Sequence, residues 1–401
     1  MAGLKARSYL RSLRSPPGAK IPPVKRGVFL AIVAAGLLAG AVLAWNAVRQ
    51  EREYRRLLAE GDQALAQNQT YTAIEAFSGA AALKPGAMAA YLKRGDSYRR
   101  RGELEAALRD LRKAGELDPT APRVAELLGD VNVALGRYQR GAEHYRRFLT
   151  LDDRSPRVLY KLAVAQYHLG QTQAAIEPLR RAIALDDRLA EAYTLLGMTL
   201  RDTGQPREAL RALERAVALN PGLAAAREEL AYMLDTLGRS REQIEQLEAI
   251  AALEPGRVDR LIRVALAYAD AGRIDDAVAA LGRASERHPG DPAIATAIGR
   301  VWLGVAEATD DRAALVKARA ALQPIAVDAT GSSEALALYG RALYLSGNAA
   351  GAEPPLRAAI GRTPIYPPAL LYFADVSEGL RRPAEAQLAR TQYRVLTGAG
   401  L

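Results

Sequence analysis

Two hydrophobic patterns divide the chain. From Val28 to Val48 every side chain except Asn46 is apolar or small. At 1.5 Å per residue this stretch reaches about 31 Å, close to the roughly 30 Å of a bilayer's hydrocarbon core. It predicts one membrane-crossing helix over 28–48, with Trp45 in the interfacial aromatic belt. Residues 49–53 read as a short juxtamembrane linker. Beyond residue 54 the pattern changes to a repeat of 34 residues. Gly61, Gly95, Gly129, Ala163, Gly197, Ala231, Ala265 and Gly299 form one series of small residues. A bulky knob recurs in step at Phe77, Leu111, Tyr145, Leu179, Leu213, Leu247 and Leu281, flanked by small residues such as Ala73 and Ala80.

Each unit predicts two antiparallel helices. Gly102, Gly136, Gly170, Gly204, Gly238 and Gly272 fall midway, where a helix ends best on a left-handed residue. Pro85, Pro119, Pro221, Pro255 and Pro289 close most units, because proline cannot continue the hydrogen-bond ladder. The eighth unit breaks step: Ala318, Leu322 and Ile325 arrive seven residues late, and Thr309-Asp310-Asp311 reads as the N-cap of its second helix. Pro178 and Pro354-Pro355 lie early in second helices, where they are expected to move the helix start or bend its first turn.

These residues resemble the tetratricopeptide repeat family, whose pattern places a small residue in helix A and Ala-x-x-x-Phe-x-x-Ala in helix B. The resemblance implies an all-α fold: a right-handed superhelical solenoid of about ten helix-turn-helix repeats, preceded by one transmembrane helix. The expected organisation is a basic tail over 1–27, the apolar helix over 28–48, the linker over 49–53 and the repeats over 54–397. Their starts fall near 54, 88, 122, 156, 190, 224, 258, 292, 333 and 367. Arg390 replaces the apolar knob in the tenth, as suits a terminal repeat with a polar outer face.

Composition narrows the chemistry. The 401 residues include no cysteine and three histidines, His144, His168 and His288, none paired at metal-ligand spacing. No phosphate loop, nucleophile elbow or His-Glu-x-x-His motif is present, and no stretch remains for a catalytic domain, so no enzyme, cofactor or metal is expected. The pairs Asp152/Asp153, Asp186/Asp187, Asp275/Asp276 and Asp310/Asp311 read as helix-capping residues at repeat junctions. Of the net charge of +10, residues 1–27 carry +7 and the other 374 residues only +3. The basicity therefore marks a cytoplasmic tail and not a nucleic-acid face, and it places the repeats across the membrane.

In such solenoids the exposed positions of each first helix line an inner groove. The period puts Arg99 and Arg100, Glu126, then Arg157, Tyr160, Lys161, Tyr167 and His168, then Thr194, Met198 and Arg201, then Tyr232 on that face. Tyr and Arg are favoured interface anchors, so Arg99, Arg100, Arg157, Tyr160, Lys161, Tyr167, His168, Arg201 and Tyr232 are the candidate partner-binding residues. Arg157 and Lys161 match only part of the carboxylate clamp of related repeats, since Leu92, Asp96 and Leu127 stand where that pattern wants Lys, Asn and Asn. The expected function is a single-pass scaffold or assembly factor of the bacterial inner membrane that binds proteins or peptides. The competing readings are a secreted peptide-binding chaperone released by signal cleavage, a regulatory subunit of an envelope polysaccharide or secretion complex, and self-association.

Overall fold

The computed structural model describes residues 23–327 and 331–398. The expected basic tail lies outside the described residues up to position 22. Among those described, helices α1 to α20 follow one another in antiparallel pairs, without a strand. They fall into two compact units, residues 1–153 with α1–α6 and residues 154–401 with α7–α20.

Unit one opens on α1 (Pro23–Ala66), a single uninterrupted helix. The linker expected over 49–53 is therefore helical. The reason lies in its charges, which pair along one helix: Arg55 with Glu51 at 2.5 Å, and Arg56 with Glu53 at 2.7 Å and Glu60 at 3.6 Å. Residues 28–50 of α1 are exposed all round, whereas one side of its later turns is covered: Tyr54 and Ala64 are buried against α2 (Thr70–Leu83). The pairs α3 (Met88–Arg100) with α4 (Leu104–Leu117) and α5 (Pro122–Ala134) with α6 (Tyr138–Leu151) complete the unit.

The turn inside each pair but α15/α16 (Pro292–Thr309 and Arg312–Val327) is built one way. In the second repeat Gly102 has φ of 78°, its N–H donates to the Arg99 carbonyl at 3.0 Å, and the Glu103 N–H donates to the Tyr98 carbonyl at 3.0 Å. That is a Schellman closure, which satisfies the last carbonyls of α3 while reversing the chain. The knob of the second helix then lies against the small residue of the first. At Gly129 an added Cβ would stand 2.3 Å from the Tyr145 ring, whose hydroxyl donates to Asp130 at 2.9 Å.

His144 sits half-buried on α6. Burial, and then the charge of Arg147, push its imidazole below the ordinary 6.5. The unfolded chain therefore binds the proton more readily. Stability is intact above pH 6.5 and falls as pH drops from there through the depressed folded value. A His144→Gln variant is expected to lose less melting temperature than wild type between pH 7.5 and 5.

Unit two runs from α7 (Pro156–His168) through α8 (Thr172–Leu185), α9 (Ala190–Asp202), α10 (Pro206–Leu219), α11 (Ala224–Thr236), α12 (Ser240–Leu253), α13 (Val258–Asp270) and α14 (Ile274–Arg287). It continues through α15 (Pro292–Thr309), α16 (Arg312–Val327), α17 (Ser333–Leu345), α18 (Ala349–Ile360) and α19 (Pro368–Gly379) to α20 (Pro383–Thr397). Pro178 does not move the start of α8, which begins 34 residues after α6 like its neighbours. The extra residues of the eighth repeat are shared between its helices: α15 has 18 residues and α16 has 16, against 13 and 14 in the seventh repeat. Asp310 ends α15 in the left-handed region (φ 54°), and Asp311 accepts the Ala313 N–H at 2.7 Å.

The paired carboxylates serve turns and caps elsewhere too. Asp186 accepts the Arg188 N–H at 3.0 Å, while Asp275 and Asp276 lie in the first turn of α14, within a repeat and not at a junction. The best-formed N-cap is Asp291, which accepts from Ala293 at 2.8 Å and Ile294 at 3.3 Å. Asp291→Ala is expected to cost about 1 kcal/mol in urea unfolding, whereas Asp291→Asn keeps an acceptor and should cost little.

Candidate interaction site

In unit two the first helices of successive repeats touch one another, α7 with α9, α9 with α11, α13 with α15, α15 with α17 and α17 with α19. The second helices make no comparable contact with each other, so the first helices form the inner face. A 34-residue period puts equivalent positions side by side on that face, and the pairing there is ionic across repeats.

The best-defined cluster joins α7, α9 and α11. The Tyr167 hydroxyl donates to Asp202 Oδ2 at 2.9 Å, and Arg201 Nε donates to Asp202 Oδ1 at 2.9 Å. Arg201 also donates to Glu229 on α11, and its guanidinium lies 5.2 Å from the centre of the Tyr232 ring. Burial first, and then the bond to Asp202, hold the Tyr167 hydroxyl above its ordinary value, so at neutral pH it remains a donor. The Tyr167 and His168 rings meet edge to face at 6.3 Å. Tyr232 is 53% exposed, although its ring is braced on one side by Arg201.

The same arrangement recurs further along. Arg260 joins Glu228 of α11 to Glu254. Arg300 on α15 pairs with Glu334 on α17. Arg341 on α17 reaches one repeat in each direction, to Glu307 at 2.8 Å and Asp375 at 2.9 Å, and lies 5.1 Å from the Tyr372 ring. Burial pushes the Tyr372 hydroxyl up to about 12. An apolar cleft of about 470 Å³ opens beside the lengthened α15, with Leu266, Val301 and Val305 on its walls and Asp270 and Arg300 among its polar residues.

The structure thus brings Tyr167, His168, Arg201 and Tyr232 together, and places half-buried Tyr160 and Lys161 and exposed Arg157 earlier on α7. Arg99 and Arg100 belong to unit one, where both bond Asp96, at 2.6 Å and 3.3 Å, and form a salt-bridged helix surface. Two residues expected on the groove are buried instead. Thr194 turns inward and donates to its own helix at the Ala190 carbonyl, at 2.9 Å, and Glu126 accepts from Arg123 at 2.6 Å. Asp202 and Glu229, which position Arg201, carry no motif of their own. Opposite charge one repeat apart is a signal for the similar cluster of Glu307, Arg341 and Asp375, but not for these two, which lie 35 residues from Tyr167 and 28 from Arg201.

The chain matches the tetratricopeptide repeat family over residues 127–190, 194–257 and 244–301, and the TPR repeat over 95–136. It belongs to the tetratricopeptide repeat family, whose members are protein-interaction modules and typically non-catalytic. No curated protein matches it. Among solved structures, the C-terminal part of a TPR repeat-containing protein from Cytophaga hutchinsonii is 17% identical, covering 61% of this chain and 99% of its own, with a TM-score of 0.52. That likeness supports the fold alone. MamA is 28% identical (40% of this chain, 95% of its own, TM-score 0.39). YrrB, described as a TPR protein with an unusual peptide-binding site, is 25% identical (47% of this chain, 97% of its own, TM-score 0.41).

Proposed function

We propose that this protein is a membrane-anchored scaffold that holds a protein or peptide partner on the inner face of unit two, around Tyr232 and Arg201. The observation that carries the reading is the braced, exposed aromatic. Tyr232 is open to solvent while Arg201, against its ring, is tied to Asp202 and Glu229 on two helices. An aromatic and an arginine already fixed in place lose little side-chain freedom when a partner arrives, which is what gives an interface anchor its strength.

Anchoring is supported by the exposed apolar stretch of α1 from Val28. The seven basic residues before it favour a cytoplasmic N-terminus in an inner membrane, with the repeats on the far side. A single apolar span makes attachment effectively permanent and confines the search for partners to the membrane surface.

A photoreactive phenylalanine analogue at position 232 of the full chain tests the reading. Crosslinks to a discrete partner are expected from 232 and not from Arg211, an exposed position on α10. Equal crosslinking from both positions, or none from 232, would overturn it.

A further inference from the structure

The uninterrupted α1 joins the apolar stretch directly to the first repeat. Trp45 and Arg49 lie one turn apart on it, with the guanidinium 5.5 Å from the indole centre, which suits the boundary between hydrocarbon and headgroups. Immediately past that boundary, Gln50 Nε2 donates to the Leu83 carbonyl at 2.5 Å. Lys84 pairs with Glu51, and its ammonium lies 5.0 Å from the Tyr54 ring centre. The end of α2 and the turn after it are therefore fastened at the level of residues 50 to 54. Each residue rises 1.5 Å, so Gln50 and Glu51 stand about 3 to 5 Å beyond Val48 along the helix. The headgroup layer of one leaflet is about 5 to 7 Å thick.

We infer that the first inter-repeat turn, Lys84 to Ala87, is seated in the lipid headgroup layer, so that repeat one rests on the membrane surface and its contact partner is phospholipid headgroups. The inference rests on reading Val28–Val48 as a membrane span. Continuous helix from the span to Ala66 and the two side-chain ties to Leu83 and Lys84 fix the height of the turn. A flexible linker would leave that height undefined. Pro85 and Gly86 are exposed and uncharged, and an added Cβ at Gly86 meets nothing within 4 Å, so a probe there does not disturb the repeat.

The chain has no cysteine, which permits single labels in the full-length protein. Three variants, Leu38→Cys, Gly86→Cys and Gln63→Cys, are labelled with bimane and reconstituted in phosphatidylcholine–phosphatidylglycerol nanodiscs. Quenching is read with a nitroxide on the headgroup and, separately, on the acyl chain. The expected result is acyl-chain quenching at 38, headgroup quenching at 86, and several-fold less of either at 63, which lies about 22 Å beyond Val48 along α1. Insertion of Gly-Ser-Gly-Ser after Arg49 should abolish quenching at 86 and leave that at 38. Quenching at 38 with none at 86 overturns the seating of the turn and leaves the span intact. No quenching at 38 overturns the span and the seating with it.

Discussion

A Gly129→Val variant is expected to lose about 3 kcal/mol of stability, at the upper end of what overpacking a close contact costs. The new Cβ would fall 2.3 Å from the Tyr145 ring, with two further ring atoms within 2.9 Å. Tyr145 is buried and tied to Asp130, so moving the ring also breaks a hydrogen bond. Two other glycines set the scale. Gly136→Ala, with φ of 70°, should cost about 1 kcal/mol through backbone strain alone. Gly282 lies inside α14 with nothing within 4 Å of an added Cβ, so Gly282→Ala should stabilise by about 0.5 to 1 kcal/mol. Urea unfolding of the three variants checks the order and the change of sign. Equal losses at 129 and 282 would contradict the packing account.

The second large effect concerns binding. Arg201→Ala removes the group that braces Tyr232 and joins α9 to α11, and Tyr232→Ala removes the exposed ring itself. Each is expected to weaken partner binding by roughly 30-fold, the 2 kcal/mol typical of an interface anchor. Stability should change by less than about 1 kcal/mol, because the ion pairs of Arg201 are partly exposed and water screens them. Titration calorimetry beside urea unfolding separates the two. A stability loss as large as the binding loss would make Arg201 a purely structural residue.

The repeat architecture was legible because every unit solves one packing problem with the same residues. A glycine under a knob, a left-handed glycine at the turn and a proline after the second helix leave a record with period 34. What escaped was decided by packing between elements and by helical charge pairing. Residues 49–53 are rich enough in charge to read as a linker, yet Glu51 and Glu53 lie four and three residues from Arg55 and Arg56 and favour helix. The insertion in the eighth repeat announced its size but not its division, since α15 and α16 each lengthen until the knob Leu322 meets Gly299. On the candidate site, the period put Tyr167, Arg201 and Tyr232 on one face, and Asp202 and the Arg201–Tyr232 ring contact link the three. It placed Thr194 there too, because a small hydroxyl can serve either face and bonds its own helix when buried. The carboxylates of Asp202 and Glu229 stayed invisible because their partners sit 35 and 28 residues away, across helices.

The central claim, that unit two captures a partner through Tyr232 and Arg201 at the membrane, is tested most directly by crosslinked affinity purification from native membranes. The full chain is compared with an Arg201→Ala/Tyr232→Ala variant whose circular dichroism matches wild type. The expected result is a discrete partner set recovered with wild type and lost with the variant. Recovery of the same set by both proteins, or of wild type alone with copies of itself, would contradict the account.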